Sequence, residues 1–392
     1  MFRRGATTYS VLFIFLTLAV ASGQQPKPKG PPPPHPLFPI EQAWLRNFDA
    51  APSAPASMDV DRVYVPLSSG SIVGIDRQTG ALLWSRAIDS RWPVVIGAGV
   101  VYAFAASNEL WALDAATGAT LWARTQPVHL LIAPIYAAGR LVLVFDPGDY
   151  VSLRASDGVE QWRLRIGNDA PLFPPTPGGD SLFVALDGGD LAAISAADGR
   201  LVWRRTIGGT LSVPSWAPNR VFIGSTDNYL YALDAADGDL EWRWRAGGDV
   251  IGAAPDADGG VYFASLDNTL RRLNQGNGNQ RWREEIPTRP AMAPMAVRNI
   301  VVITGVAPLV TAFGGPMGMT TGSYTAPAEI LGAPLIDDDL RPFSVGMIVL
   351  TRDGRLVGLT PVAALYRDPP LTPLSAMPGT RLSREPVPSA VH

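Results

Sequence analysis

Seven tryptophans, Trp44, Trp84, Trp122, Trp162, Trp203, Trp242 and Trp282, recur along this chain at intervals of 38 to 41 residues. Six of them end one eleven-residue pattern: GIDRQTGALLW (74–84), ALDAATGATLW (112–122), SLRASDGVEQW (152–162), AISAADGRLVW (193–203), ALDAADGDLEW (232–242) and RLNQGNGNQRW (272–282). Self-similarity at a fixed period means stacked copies of one supersecondary unit. A second signal runs in phase with the first. A proline in a small or apolar context precedes each unit, at Pro52 or Pro55, then Pro93, Pro134, Pro175, Pro214, Pro255, Pro294 and Pro334, which makes eight units.

Within a unit, alternation and turn chemistry predict strands. In the fifth, Val221-Phe222-Ile223 is a β-branched and aromatic run, Asp227-Asn228 a hairpin turn, and 229–233 the return. Asp237-Gly238 makes a second hairpin, since glycine tolerates the positive φ that such turns demand, and 241–245 is the outer strand. With the proline segment innermost, each unit is a four-stranded antiparallel sheet, and a period near 40 built this way is a propeller blade. The predicted fold is all-β: an eight-bladed β-propeller of four-stranded antiparallel blades. The last two units depart from the pattern. The seventh keeps Ala312-Phe313 but has Gly322 where tryptophan is due, and the eighth has strands at 345–350 and 356–359 without one. Trp44 precedes the first unit without strands of its own. The N-terminal strand around it is therefore expected to complete the eighth blade and close the ring non-covalently, leaving no open edge there.

The eleven-residue pattern resembles the tryptophan-docking motif of the pyrroloquinoline quinone (PQQ) repeat family, over roughly residues 40–366. The resemblance implies that the seven tryptophans pack between neighbouring blades, with the motif's Ala and Gly making room. A tryptophan buries about 150–250 Å² and dominates any interface that it enters. Two classes share this repeat. Quinoprotein dehydrogenases hold PQQ and Ca²⁺ on the propeller axis, many stacking the cofactor on a disulfide. Non-catalytic scaffolds include the BamB-like lipoprotein of outer-membrane β-barrel assembly. This chain has no cysteine, no segments long enough to roof a cofactor, and no identifiable axial Asp base with matching Ca²⁺ ligands. The expectation is a non-catalytic scaffold for protein partners, with no cofactor. PQQ with calcium belongs to the alternative, a dehydrogenase-like enzyme or PQQ-binding protein.

The ends of the chain set its compartment. Arg3 and Arg4, an apolar run over 9–21 and the closing Ala19-Val20-Ala21 read as a signal peptide at 1–21. The run is too short to span a bilayer comfortably, which takes about 20 apolar residues, and its retention as an uncleaved anchor is the alternative. Residues 22–39, with the run Pro31 to Pro34, read as a polyproline linker, and 367–392 as a disordered Pro-rich tail. Export to the periplasm or outside is expected, as a monomer without a transmembrane domain beyond the signal segment. The absence of cysteine excludes a lipid anchor of the lipoprotein kind.

Charge and motifs exclude more than they assign. A net charge of −3 offers no basic footprint for nucleic acid. His35, His129 and His392 are scattered and show no metal-ligand spacing. No nucleophile elbow, P-loop or dinucleotide fingerprint occurs. Asp114, Asp187, Asp227, Asp234 and Asp267 sit singly at turn or strand-end positions, where aspartate bonds its own backbone rather than calcium. Arginines follow nearly every docking tryptophan, among them Arg46, Arg86, Arg124, Arg205 and Arg243, as charges that protect outer edges. The most unusual stretch is 305–327, uncharged and Gly-rich, with Met317, Met319 and Tyr324. It reads as a decayed repeat, and the functional alternative is an irregular blade with a partner-docking loop, since methionine suits adaptable surfaces.

Overall fold

A computed structural model describes residues 37–362, apart from 147, 168 and 338–343. The signal segment, nearly all of the linker and the 367–392 tail lie outside the described residues. The rest forms eight four-stranded antiparallel sheets and contains no helix, which is the predicted all-β propeller. Blade 5 shows the plan: Ser215–Ala217 innermost, then Arg220–Gly224, Tyr229–Asp234 and Leu240–Arg245 outermost. Its two middle strands are buried on both faces because a neighbouring blade covers each side, which is why they read as continuous apolar runs. Its outer strand alternates between exposed and half-buried residues.

The core is a set of apolar layers between blades. One layer joins Tyr64, Ile72 and Trp84 of blade 1 to Val101, Ala103 and Leu113 of blade 2. The docking tryptophans complete these layers in a repeated way. Trp203 pairs across its sheet with Ala193, lies against Gly238 of the next blade, and donates its indole N–H to Ala235 O at 3.0 Å. Trp84, Trp162, Trp242 and Trp282 donate alike to Ala115, Ala196, Gln275 and Gly315 O at 2.8–3.1 Å. Trp122 lies against Gly158 and Tyr102. Gly238 has φ +77°, and a β-carbon there would lie 2.6 Å from the Trp203 ring. Turn conformation and docking therefore demand the same residue.

The N-terminal strand Ile40–Asn47 pairs antiparallel with Arg355–Pro361 and forms the outside of blade 8, over Met347–Leu350 and Leu335–Ile336. Trp44 faces Gly358 in its own sheet and donates to Arg77 O of blade 1 at 3.0 Å. Arg46 reaches Gly80 O at 3.0 Å, and Gln78 Oε1 accepts from Val345 N at 2.9 Å. The buried Arg77 guanidinium pairs with Asp337 at 2.9 Å. The first and last blades are thus held by a ladder, a docking tryptophan and an ion pair.

Blade 7 is a complete sheet: Met295–Val297, Ile300–Thr304, Leu309–Gly314 and Thr320–Thr325. The irregular blade expected at 305–327 is corrected by this complete sheet, whose register shift between Ala312 and Phe313 matches those of blades 4 and 5. The missing tryptophan is replaced from elsewhere. Phe38 fills the space over Gly322, where a β-carbon would lie 2.6 Å from it. With Leu37 it is buried among Val310 and Ala312 of blade 7 and Val357 and Leu359 of blade 8. Residues at the end of the proline-rich stretch therefore belong to the core.

Candidate interaction face

One end of the ring carries the turns between second and third strands and the connections into each innermost strand. Of the recurring prolines, Pro52, Pro55 and Pro93 come together here, with Pro174 beside them. Pro52, Pro55, Pro93 and Pro174 line an axial hollow of about 470 Å³ together with Trp92, Ile132, Leu172 and Leu331. These prolines lie in the connections that lead into the innermost strands Ser57–Met58, Val95–Gly97 and Thr176–Gly178, where no strand ladder needs the missing N–H. Arg91 and Arg352 also line the hollow, and both are exposed.

Two further hollows adjoin this one. The first, of about 270 Å³ between blades 2 and 3, shares Arg91 and Trp92 and adds His129 and Leu130. The second, of about 280 Å³ between blades 7 and 8, shares Arg352 and adds Met292, Val306 and Ile330. Three neighbouring hollows, the axial track, thus lie on this face, with Arg91 and Trp92 as the wall between two of them and Arg352 as the wall between the other pair. The Arg91-Trp92 tip is held by buried Ser90, whose hydroxyl lies 3.0 Å from Phe104 O and accepts from Trp92 N–H. Ser53 Oγ donates to Ser90 O at 2.7 Å, fixing the tip to the neighbouring blade. Arg352 is partnered by Glu329 at 2.6 Å.

The chemistry of this lining is that of a binding surface. Among the described residues it supplies no carboxylate to the axial hollow, whereas calcium takes about 6–8 oxygen ligands, largely from carboxylates. These residues do not fit a calcium-held quinone. Among the described residues no three His, Cys, Asp or Glu side chains group as metal ligands. The five aspartates weighed as calcium ligands occupy separate turns. Asp114 accepts from Thr117 Oγ1 and two backbone N–H groups, and these bonds lower its pKa. Asp187 and Asp234 accept from Gly188 N and Ala236 N. Asp227 accepts from Tyr229 N and the Tyr231 hydroxyl.

Asp267 is the exception in strength. Burial alone would raise its pKa, but hydrogen bonds from Arg271, Ser265 and Thr269 hold the carboxyl well below the ordinary carboxylate range. Ser265 and Thr269 hydroxyls donate at 2.6 Å, and Arg271 at 2.9 Å. Arg271 is buried under Trp244 of blade 5, 5.0 Å from the ring centre.

The candidate partner residues do not form one patch. Met317 and Met319 are 71% and 66% exposed in the turn before the outer strand of blade 7, at the end of the ring away from the axial track. Tyr324 is half-buried against the layer containing Phe38, and burial raises its pKa. Val306, at the start of the same stretch, lines the hollow between blades 7 and 8. Arg91 and Trp92 lie in no repeat motif, so periodicity did not single them out. Their signal was the pair of bulky residues directly before an axial proline. Several arginines after the docking tryptophans act as ties between blades: Arg86 to Thr120 Oγ1 at 2.9 Å, Arg124 to Asp157 O at 3.2 Å and Arg205 to Asp239 at 2.8 Å.

Comparison with known proteins agrees with this architecture. The family profile described as outer membrane protein assembly factor BamB matches residues 69–210 and 188–302, more than half of the chain. No curated protein matches the chain in sequence. Among solved structures, BamB from Moraxella catarrhalis is 15% identical with a TM-score of 0.65, over 82% of this chain and 97% of that one. A computationally designed protein is 15% identical with a TM-score of 0.68, over 81% and 98%. The quinohemoprotein alcohol dehydrogenase ADHIIG from Pseudomonas putida HK5 is 14% identical with a TM-score of 0.60, over 90% and 78%. At these identities the structural likeness establishes the fold.

Proposed function

The chain belongs to the family of outer membrane protein assembly factor BamB, and on that premise we propose that it is a non-catalytic, extracytoplasmic scaffold that binds a partner protein in cell-envelope or outer-membrane protein assembly. The observation that carries this reading is the row of three neighbouring hollows on one face, the axial track, with Arg91 and Trp92 at one shared wall and Arg352 at the other. Tryptophan and arginine in preformed hollows are the residues that dominate protein interfaces. The protein acts as an exported monomer and needs no cofactor.

The test is affinity capture of the tagged protein from solubilised envelopes, with Trp92→Ala and Arg91→Glu compared with the parent. Recovery of outer-membrane assembly components by the parent, lost in variants of unchanged melting temperature, supports the reading. Equal recovery by all three proteins counts against this face. The enzyme alternative is tested by melting the protein with PQQ and Ca²⁺, because a ligand specific for the folded state raises its stability. A rise of several degrees would favour a quinone site over a scaffold.

A further inference from the structure

Seven of the eight outer strands carry at least one charged residue within their bounds, such as Arg86 in Leu82–Arg86, Arg204 in Leu201–Thr206 or Glu41 and Arg46 in Ile40–Asn47. The outer strand of blade 7, Thr320–Thr325, carries none: its sequence is TTGSYT. Proteins place charge on edge strands because unpaired main-chain groups there template the addition of another strand. This edge lacks that protection and is rich in threonine and tyrosine, which favour strands.

The direction of its hydrogen bonds is fixed by the ladder. Ala326 N–H donates to Pro308 O at 2.7 Å, and Tyr324 and Gly322 pair with Val310 and Ala312. Antiparallel ladders alternate, so the N–H groups of Gly322 and Tyr324 point to the third strand and those of Ser323 and Thr325 point outward. A groove of about 420 Å³ lies beside the same strand, lined by Thr320, Ser323, Leu309, Thr311, Ile286 and Pro287, with the exposed Glu285 on its blade 6 wall. Met317 and Met319 stand exposed at the strand's beginning. An edge that offers main-chain bonds, with a groove for alternate side chains beside it, is the geometry of strand addition.

We propose that the outer strand of blade 7 is a second interaction surface, which receives an extended, uncharged segment of a partner protein as a fifth strand. Apolar side chains at alternate positions of that segment enter the groove beside Leu309 and Ile286, and a methionine contact caps one end. This surface shares no residue with the axial track, so it stands or falls apart from the reading of that face.

The probe is a peptide copying residues 308–315, PLVTAFGG, with two lysines appended for solubility. Its residues 309–313 already pair with residues of Thr320–Thr325 on the inner side. The full chain is titrated with the peptide and with a copy N-methylated at alternate amides, and hydrogen exchange is followed at Ser323 and Thr325. The expected result is binding of the unmodified peptide only, with both amides newly protected. Ser323→Pro, which removes one outward donor, and Ser323→Lys, which charges the edge, should each weaken binding about tenfold or more. Ser323 is exposed, so the lysine variant keeps its melting temperature. Absence of binding, or equal binding of the N-methylated copy, would overturn the proposal. Protection of both amides in the isolated chain would overturn it too. Protection that grows with protein concentration would assign the edge to a second copy, and concentration-independent protection to the chain's own remaining segments.

Discussion

Phe38 stands over Gly322 and does for blades 7 and 8 what a docking tryptophan does elsewhere in the ring. The side chain comes from one end of the chain and its seat from the seventh repeat. Glycine is required at the seat, because a β-carbon would lie 2.6 Å from Phe38. Phe38→Ala should destabilise the propeller by about 3–5 kcal/mol, the usual cost of emptying an aromatic core site. Gly322→Trp should also destabilise, by collision with Phe38. The double variant Phe38→Ala, Gly322→Trp should recover part of both losses, since the indole can then occupy the vacated space. Denaturant unfolding of the four proteins measures the coupling, and strictly additive losses would show that the two residues do not share one site.

Ring closure separates packing from hydrogen bonding at a single residue. Trp44 lies between Gly358 of its own sheet and Gly80 of blade 1, with its N–H on Arg77 O. Trp44→Phe keeps most of the ring contact and loses the hydrogen bond, so it should cost about 1 kcal/mol. Trp44→Ala removes both and should cost about 3–5 kcal/mol. Equal losses in the two variants, by denaturant unfolding, would mean that the hydrogen bond rather than the packing closes the ring.

The repeated parts of this fold were legible because the same physical demand recurs in every blade. The docking tryptophans, their turn glycines and the axial prolines announce themselves by period, and the N-terminal strand by a Trp44 without strands of its own. Phe38 was not legible, because it answers a vacancy about 280 residues away and sits next to a proline run that reads as linker. The axial track was illegible for a related reason. Arg91 and Trp92 have no equivalents in the other repeats, so self-similarity passes over them. Met317 and Met319 attracted attention by composition, yet composition carries no information on which end of the blade a turn occupies. The arginines were read as edge charges, and only the placement of the next blade's turn shows Arg86, Arg124 and Arg205 to be ties.

Two glycines with the same backbone conformation separate strain from collision. Gly238 and Gly99 have φ of +77° and +76°, but a β-carbon at Gly238 would meet Trp203 at 2.6 Å and one at Gly99 would meet nothing within 4 Å. Gly99→Ala should therefore cost only the left-handed strain of an L-residue, about 1–2 kcal/mol. Gly238→Ala should cost that and the displacement of a docking tryptophan. Trp203 fluorescence offers an independent readout when Gly238→Ala is made in a background lacking the other tryptophans near it. Equal melting temperatures for the two variants would show that the docking site yields without penalty.

Asp267 should make the propeller sensitive to acid. Its carboxyl is held well below the ordinary range by hydrogen bonds from Arg271, Ser265 and Thr269, which outweigh the opposing effect of burial. A group whose folded pKa is depressed adds stability above its unfolded pKa, about 3.9 for aspartate, and loses it as the pH falls towards the folded value. Asp267→Asn keeps the shape but leaves the buried Arg271 guanidinium without its counter-charge, so at pH 7 it should cost about 3 kcal/mol. The gap between parent and variant should stay constant from pH 7 down to about 5 and narrow below about 4. Melting temperatures of the two proteins across that range measure it. A gap that does not narrow would show that the carboxylate's charge is not what steadies Arg271 between blades 5 and 6.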